Sequence, residues 1–241
     1  MSENYNDGPV WHVNSQQAAF RDIDQGLRSY MVSVYNFMAL GLGLTGLVAY
    51  GMSSSPEIMR AIFGTPLFWV AMLAPFGLVM YISVRINTLS FSKAQTLFWI
   101  YSALMGVSLS SIFLIYTGES IARLFFITAS IFASMSLYGY TTKRDLTSFG
   151  SFLTMGLVGI IIASVVNLFL HSSAMQLMIS CIGVLVFTGL TAYDTQKIKE
   201  IYSANDTAET SGKKALFGAL QLYLDFVNLF IMLLQIFGNR R

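Results

Sequence analysis

The sequence predicts an all-α polytopic membrane protein with seven transmembrane helices, and three observations carry that expectation. Runs of roughly 20 apolar residues recur along the chain, the length a helix needs to cross hydrocarbon with its backbone satisfied. Of the 241 residues, 55% are hydrophobic and only 11% charged, about half the charge of an ordinary soluble domain. Connections between the runs are short, and no long polar segment marks a second domain.

The elements follow in order. Residues 1–28, opening MSENYNDGPVWHVNSQQAAF, are polar and lack a basic stretch followed by an apolar core. They read as a cytoplasmic tail and not as a signal peptide. Residues 29–238 form the membrane domain. Its first span, Ser29–Met52, carries GLGLTG at Gly41–Gly46; small residues of this kind let helix backbones approach closely in lipid. Thr65–Val84 is second and Ala94–Tyr116, with GVSLSS at Gly106–Ser111, third. Ser120–Tyr140 is fourth. Phe152–Leu170, with GLVG at Gly156–Gly159, is fifth, and Asp145 and Thr147 before it read as helix-capping residues. Ser173–Tyr193 is sixth, and its helix can continue past Asp194 toward Ile201. Ala215–Phe237 is seventh, after the longest loop, around SANDTAETSGKK. None of the glycine runs follows a strand and opens a helix, so no nucleotide-binding fingerprint is present.

Lysines and arginines set the orientation. With the N-terminus cytoplasmic, that side receives Arg21, Arg28, Arg85, Lys93, Lys143, Arg144, Lys197, Lys199, Lys213 and Lys214. The outer side receives only Arg60, Arg123, Arg240 and Arg241. Seven crossings put the C-terminus outside; the Arg240–Arg241 pair argues for the alternative, a last segment that re-enters and returns. A net charge of +2 gives no reason to expect nucleic acid as a partner. Cys181 is the single cysteine, which rules out an internal disulfide. His12 and His171 are too isolated to suggest a metal site.

Charged residues within spans are few, and each is informative. Asp225 lies deepest, inside LQLYLDFVNLFIMLLQIFG. An ionised aspartate at a helix centre costs about 2.5–3.5 kcal/mol even on insertion-based scales. Asp194 sits about two turns inside the end of the sixth helix, and Asp225 about ten residues, roughly 15 Å, from the start of the seventh. If these helices are neighbours, the two carboxyls meet at one depth. Two carboxyls in a dry site cannot both ionise cheaply, so they are expected to share a proton. The alternative has Asp194 at the water boundary and Asp225 packed alone against Asn228 or Tyr223. Arg85 is a candidate cationic partner, or else a residue that snorkels to headgroups. Arg123 reads as a snorkelling outer-edge residue, and Glu57 and Glu119 as solvated loop charges.

Three motifs resemble the Bax-inhibitor family of membrane proteins, and its bacterial inner-membrane branch in particular: AYDTQ at Ala192–Gln196, LYLDFVNLF at Leu222–Phe230 and YGYTTKRDL at Tyr138–Leu146. The stretch DQGLRSYMVSVYNFM fits that branch too, and the likeness runs from about Asp22 onward. The resemblance implies six helices around a central seventh, no enzymatic activity, no cofactor, and a pH-sensitive calcium leak across the bacterial inner membrane. It implies a gate formed by Asp194 and Asp225, which would also meet the passing cation, with Arg85 as a latch. Tyr193, Tyr223 and Asn228 are candidate supporting residues. Two other readings stay open. One is a non-conducting regulator that binds a membrane quality-control protease or another membrane protein. The other is an intramembrane aspartyl protease, against which LYLD lacks the glycine-flanked GxGD context.

Overall fold

The computed structural model describes residues 10–86 and 88–241, with side chains from Gln25 onward apart from that of Asn87. Its helices are α1 (Val10–Ser53), α2 (Pro56–Phe63), α3 (Leu67–Arg85), α4 (Phe91–Leu109), α5 (Ile112–Ile115), α6 (Gly118–Thr141), α7 (Thr147–Leu170), α8 (Ser173–Glu200) and α9 (Ala208–Phe237). Seven stretches are long and apolar enough to cross a membrane: Gln25–Ser53, Leu67–Arg85, Phe91–Ile115, Gly118–Thr141, Thr147–Leu170, Ser173–Glu200 and Ala208–Phe237. The protein is an all-α polytopic membrane protein. We call the end holding the α3–α4, α6–α7 and α8–α9 connections the N-face, and the opposite end, where the chain finishes, the C-face.

Two boundaries differ from the expected ones, both for one reason. Helix α1 begins at Val10, inside the stretch read as tail, so of residues 1–28 only 1–9 lie wholly outside the described residues. Helix α9 begins at Ala208, two turns before the expected Ala215. Its start is fixed by Thr207, whose side chain accepts the Thr210 N–H, and Glu209 in the first turn suits the positive end of the helix dipole. Apolar runs mark where a helix enters lipid, and helices continue beyond that level. Helix α9 is unbroken to Phe237, so the last segment crosses and does not turn back.

Helix α9 is the centre of the bundle. It is apolar on every side, with Leu216, Leu222, Phe226, Leu229, Phe230 and Leu234 all buried, as a helix enclosed by others must be. In an 18-residue apolar stretch of α9, 67% of residues are buried, against 17% in the corresponding stretches of α3 and α7. Helices α8, α1, α6 and α4 pack directly on it, while α3 leans on α4 and α7 on α8. The outer helices turn Trp69, Phe76, Phe152 and Phe169 outward, which is the expected surface toward lipid.

Some helix contacts need glycine. A Cβ on Gly139 of α6 would lie 2.1 Å from the Ala192 carbonyl oxygen of α8, and one on Gly150 of α7 would lie 2.3 Å from the Tyr193 ring. The small-residue runs divide accordingly. Gly41, Gly106 and Gly156 face neighbouring helices, whereas Gly43, Gly46 and Gly159 face open space.

The connections are pinned. Gln196 holds the α6–α7 loop to α8, accepting the Leu146 N–H at 2.8 Å and donating to the Arg144 carbonyl at 2.8 Å. In that loop Asp145 accepts the Thr147 N–H at 2.8 Å. Hydrogen bonds from the Thr147 side chain and backbone hold this exposed carboxyl below its ordinary range. Asp145 therefore caps the start of α7, while Thr147 is already its first helical residue. On the C-face, Thr117 donates to the Asn239 carbonyl at 3.0 Å and Arg241 to that of Ile115 at 2.9 Å.

Candidate functional site

Helices α8 and α9 run antiparallel in a register that places Gly183 beside Met232 and Gly218 beside Ile198. The same register brings Asp194 and Asp225 face to face, with their carboxyls within hydrogen-bonding reach. Asp194 is half-buried and Asp225 is 5% exposed. One carboxyl oxygen of Asp225, Oδ2, is fully enclosed and has no hydrogen-bond partner among the described residues.

The cation whose charge bears on Asp194 is Lys197, one turn further along α8, with its ammonium 5.8 Å from the centre of the Tyr193 ring. Arg85 lies exposed at the end of α3. Among the described residues the only ion pair is Lys214 with Asp206, at 2.6 Å, so the structure does not bring Arg85 to the aspartates. The three candidate supporting residues are turned elsewhere. Tyr193 packs its ring against Gly150, and Asn228 donates to the Leu224 carbonyl at 2.9 Å. Tyr223 is hydrogen-bonded to Thr45 Oγ1 of α1 at 2.7 Å. Arg123, Glu57 and Glu119 are exposed.

Surroundings differ on the two sides of the pair. Toward the N-face, Ile198, Ala215, Ala219 and Leu222 are buried and form part of the main apolar core. Toward the C-face, a cavity of about 330 Å3 lies between α3, α4 and α9 and is lined in part by Ser108, Ser111, Asn228 and Gln235. Leu224 and Asn228 both line it, so the cavity extends to the aspartate's level along α9.

As a resident metal site the pair is thin. Calcium takes six to eight oxygen ligands, and among the described residues no cluster of three or more His, Cys, Asp or Glu exists. What the arrangement offers chemically is two carboxyls near enough for one proton to lie between them.

Sequence reasoning passed over the hydroxyl and amide links between helices, because a lone serine or threonine in an apolar run gives no hint of its partner. Tyr35 of α1 bonds Ser136 of α6 at 2.6 Å, and Ser136 bonds Thr195 of α8 at 2.9 Å. Near the C-face, Gln235 of α9 accepts from Gln176 at 2.8 Å and from Ser180 at 2.7 Å, both on α8. Thr45 ties α1 to α4 and α9 through the Ser102 carbonyl, at 2.8 Å, and Tyr223. Thr45→Val leaves the fully buried Tyr223 hydroxyl without an acceptor and should cost about 1–3 kcal/mol. Tyr223→Phe removes only the interhelical bond, worth about 0.6 kcal/mol on average in membrane helices. Thermal unfolding in detergent should therefore rank Thr45→Val as clearly the more damaging.

A membrane bundle wrapped around a last helix that carries a buried aspartate, faced by a second aspartate from the preceding helix, is a recognisable class of protein. The family model described as Inhibitor of apoptosis-promoting Bax1 matches residues 27–241, and the chain belongs to the Bax inhibitor family. It is 51% identical over 219 residues to the inner membrane protein YbhL of Escherichia coli K12, covering 90% of this chain and 94% of that one. An uncharacterised protein of Rickettsia prowazekii is 51% identical, over 92% of this chain and 94% of its own length. An uncharacterised membrane protein of Streptococcus pyogenes serotype M1 is 35% identical, over 90% and 95%.

Proposed function

We propose that this protein is a proton-gated cation leak of the bacterial inner membrane, with calcium the favoured ion and the N-terminus cytoplasmic. The observation that carries the reading is the facing carboxyl pair, Asp225 enclosed and Asp194 half-buried, joining α8 to the central α9. Two carboxyls within hydrogen-bonding reach in a dry site are compatible only when a proton lies between them. In that state they bind the two helices together, and the apolar packing around Ile198 and Leu222 shuts the N-face side. Removing the proton sets two like charges against each other in low dielectric. The helices then separate, and the freed carboxylates offer hard oxygen ligands to a cation arriving through the cavity at Asn228. The sign follows: flux is low in acid and rises with pH.

An arginine latch fits the same scheme. Engaging Arg85 requires α3 to shift, and α3 is held by little beyond α4 and the short α2. The inner-membrane location rests on the relative YbhL, and the cytoplasmic N-terminus on the distribution of lysine and arginine.

The test is calcium flux into proteoliposomes across a pH series, for the wild type, Asp194→Asn and Asp225→Asn. A pH-dependent flux flattened by either substitution supports the gate. Flux that keeps its pH response in both variants removes the pair from the mechanism. Silence at every pH, together with capture of a membrane protease by crosslinking, replaces the leak with the regulator reading. Cleavage of a transmembrane peptide lost in both variants replaces it with an aspartyl protease.

A further inference from the structure

The seam between α1 and α6 is a second feature, separate from the aspartates. Both helices pack on α9 but scarcely on each other. The Tyr35–Ser136 hydrogen bond bridges them, and around that bridge the seam opens into a crevice of about 460 Å3. Its walls are Met31, Val32, Phe132, Ala133 and Leu137, and Arg28 stands at its N-face end.

We propose that this crevice binds one anionic phospholipid, with the phosphate on the Arg28 guanidinium and an acyl chain along Val32, Phe132, Ala133 and Leu137. The crevice is apolar and lies within the membrane-spanning part of both helices. Arg28 shares the crevice with Tyr140, next to the end of α6 at Thr141, which is headgroup depth. A guanidinium matches phosphate with paired, charge-assisted hydrogen bonds, and basic pockets between membrane helices select anionic headgroups. Lys143 and Arg144, exposed just beyond the end of α6 on the same face, add to the attraction. The chain passes Tyr35 and Ser136, whose bonding continues to Thr195, the residue after Asp194. The bound lipid thus buttresses the hydroxyl chain that ties α1 and α6 to α8. Nothing in this assignment depends on the leak.

The experiment is native mass spectrometry of the full chain in mild detergent, offered phosphatidylglycerol or phosphatidylcholine with matched acyl chains. The wild type should retain one phosphatidylglycerol in preference to phosphatidylcholine. Arg28→Gln should lower that retention about fivefold, and Ala133→Phe, which fills the crevice, should lower retention of both lipids. Gly159→Leu, on the open face of α7, should behave as wild type, and monodisperse elution of each variant establishes that it is folded. Equal retention of the two lipids, or wild-type retention in both crevice variants, overturns the proposal. Displacement of the lipid by inorganic phosphate alone also overturns it, because the site would then hold an anion and no acyl chain.

Discussion

Asp225→Asn should leave the bundle folded and abolish the response of cation flux to pH. The amide matches the carboxyl in shape and can donate a hydrogen bond to Asp194, so the contact between α8 and α9 survives without a titratable proton. In the wild type, flux on the acid side of the transition should climb with pH by up to about tenfold per unit, the limit for release of one proton. In the variant the ratio between neighbouring pH values should fall to about one, at the low flux of the shut state. Asp194→Asn should flatten the profile as well, though Asp194 is half-buried and water can reach it more easily. Parallel proteoliposome measurements with matched protein content check both. A retained slope in the two variants would show that another group gates the path.

Gly139→Val should have the largest effect on folding. The Cβ would fall 2.1 Å from the Ala192 carbonyl oxygen, and the obstacle is backbone, which cannot swing aside as a side chain can. Helix α6 would have to move off α8, breaking the Ser136–Thr195 bond and loosening the α6–α7 loop that Gln196 fastens to the same stretch of α8. Ordinary overpacking costs about 1–3 kcal/mol, and this case should exceed that range. The expected result is little or no monodisperse protein after membrane extraction. Gly159→Val meets nothing within contact distance and should elute like the wild type. Normal yields of Gly139→Val would mean that the α6–α8 contact is looser than described.

The two contrasting glycines show which parts of the structure were legible in the sequence. Spans could be read because apolar length is a local property fixed by bilayer thickness. The division of GLGLTG into an enclosed Gly41 and open Gly43 and Gly46 could not, since it depends on which helix arrives opposite each face. Asp194 stands on a helix because α8 outruns its apolar stretch to Glu200, and α9 likewise starts early, at Ala208. The first extension was readable from TQKIKE, which carries no helix breaker, while the second hid in a polar stretch that looks like loop. The YGYTTKRDL and AYDTQ motifs, about fifty residues apart in the chain, prove to be one piece of structure. Gly139 rests on Ala192, and the backbone of Arg144 and Leu146 is bound by Gln196. Arg85 was singled out for its charge and its side of the membrane, two properties that carry no information about what stands within reach of its guanidinium.

The central helix is tethered at both ends. Lys214 grips the Ile201 carbonyl and Asp206, and past Phe237 the chain is stitched by backbone hydrogen bonds to residues 115–117. A rod fastened at each tip cannot piston along its own length. In the proposed gate, parting Asp194 from Asp225 is therefore a swing or roll of the surrounding staves around a stationary axle, with α8 pivoting about the end that Lys214 holds.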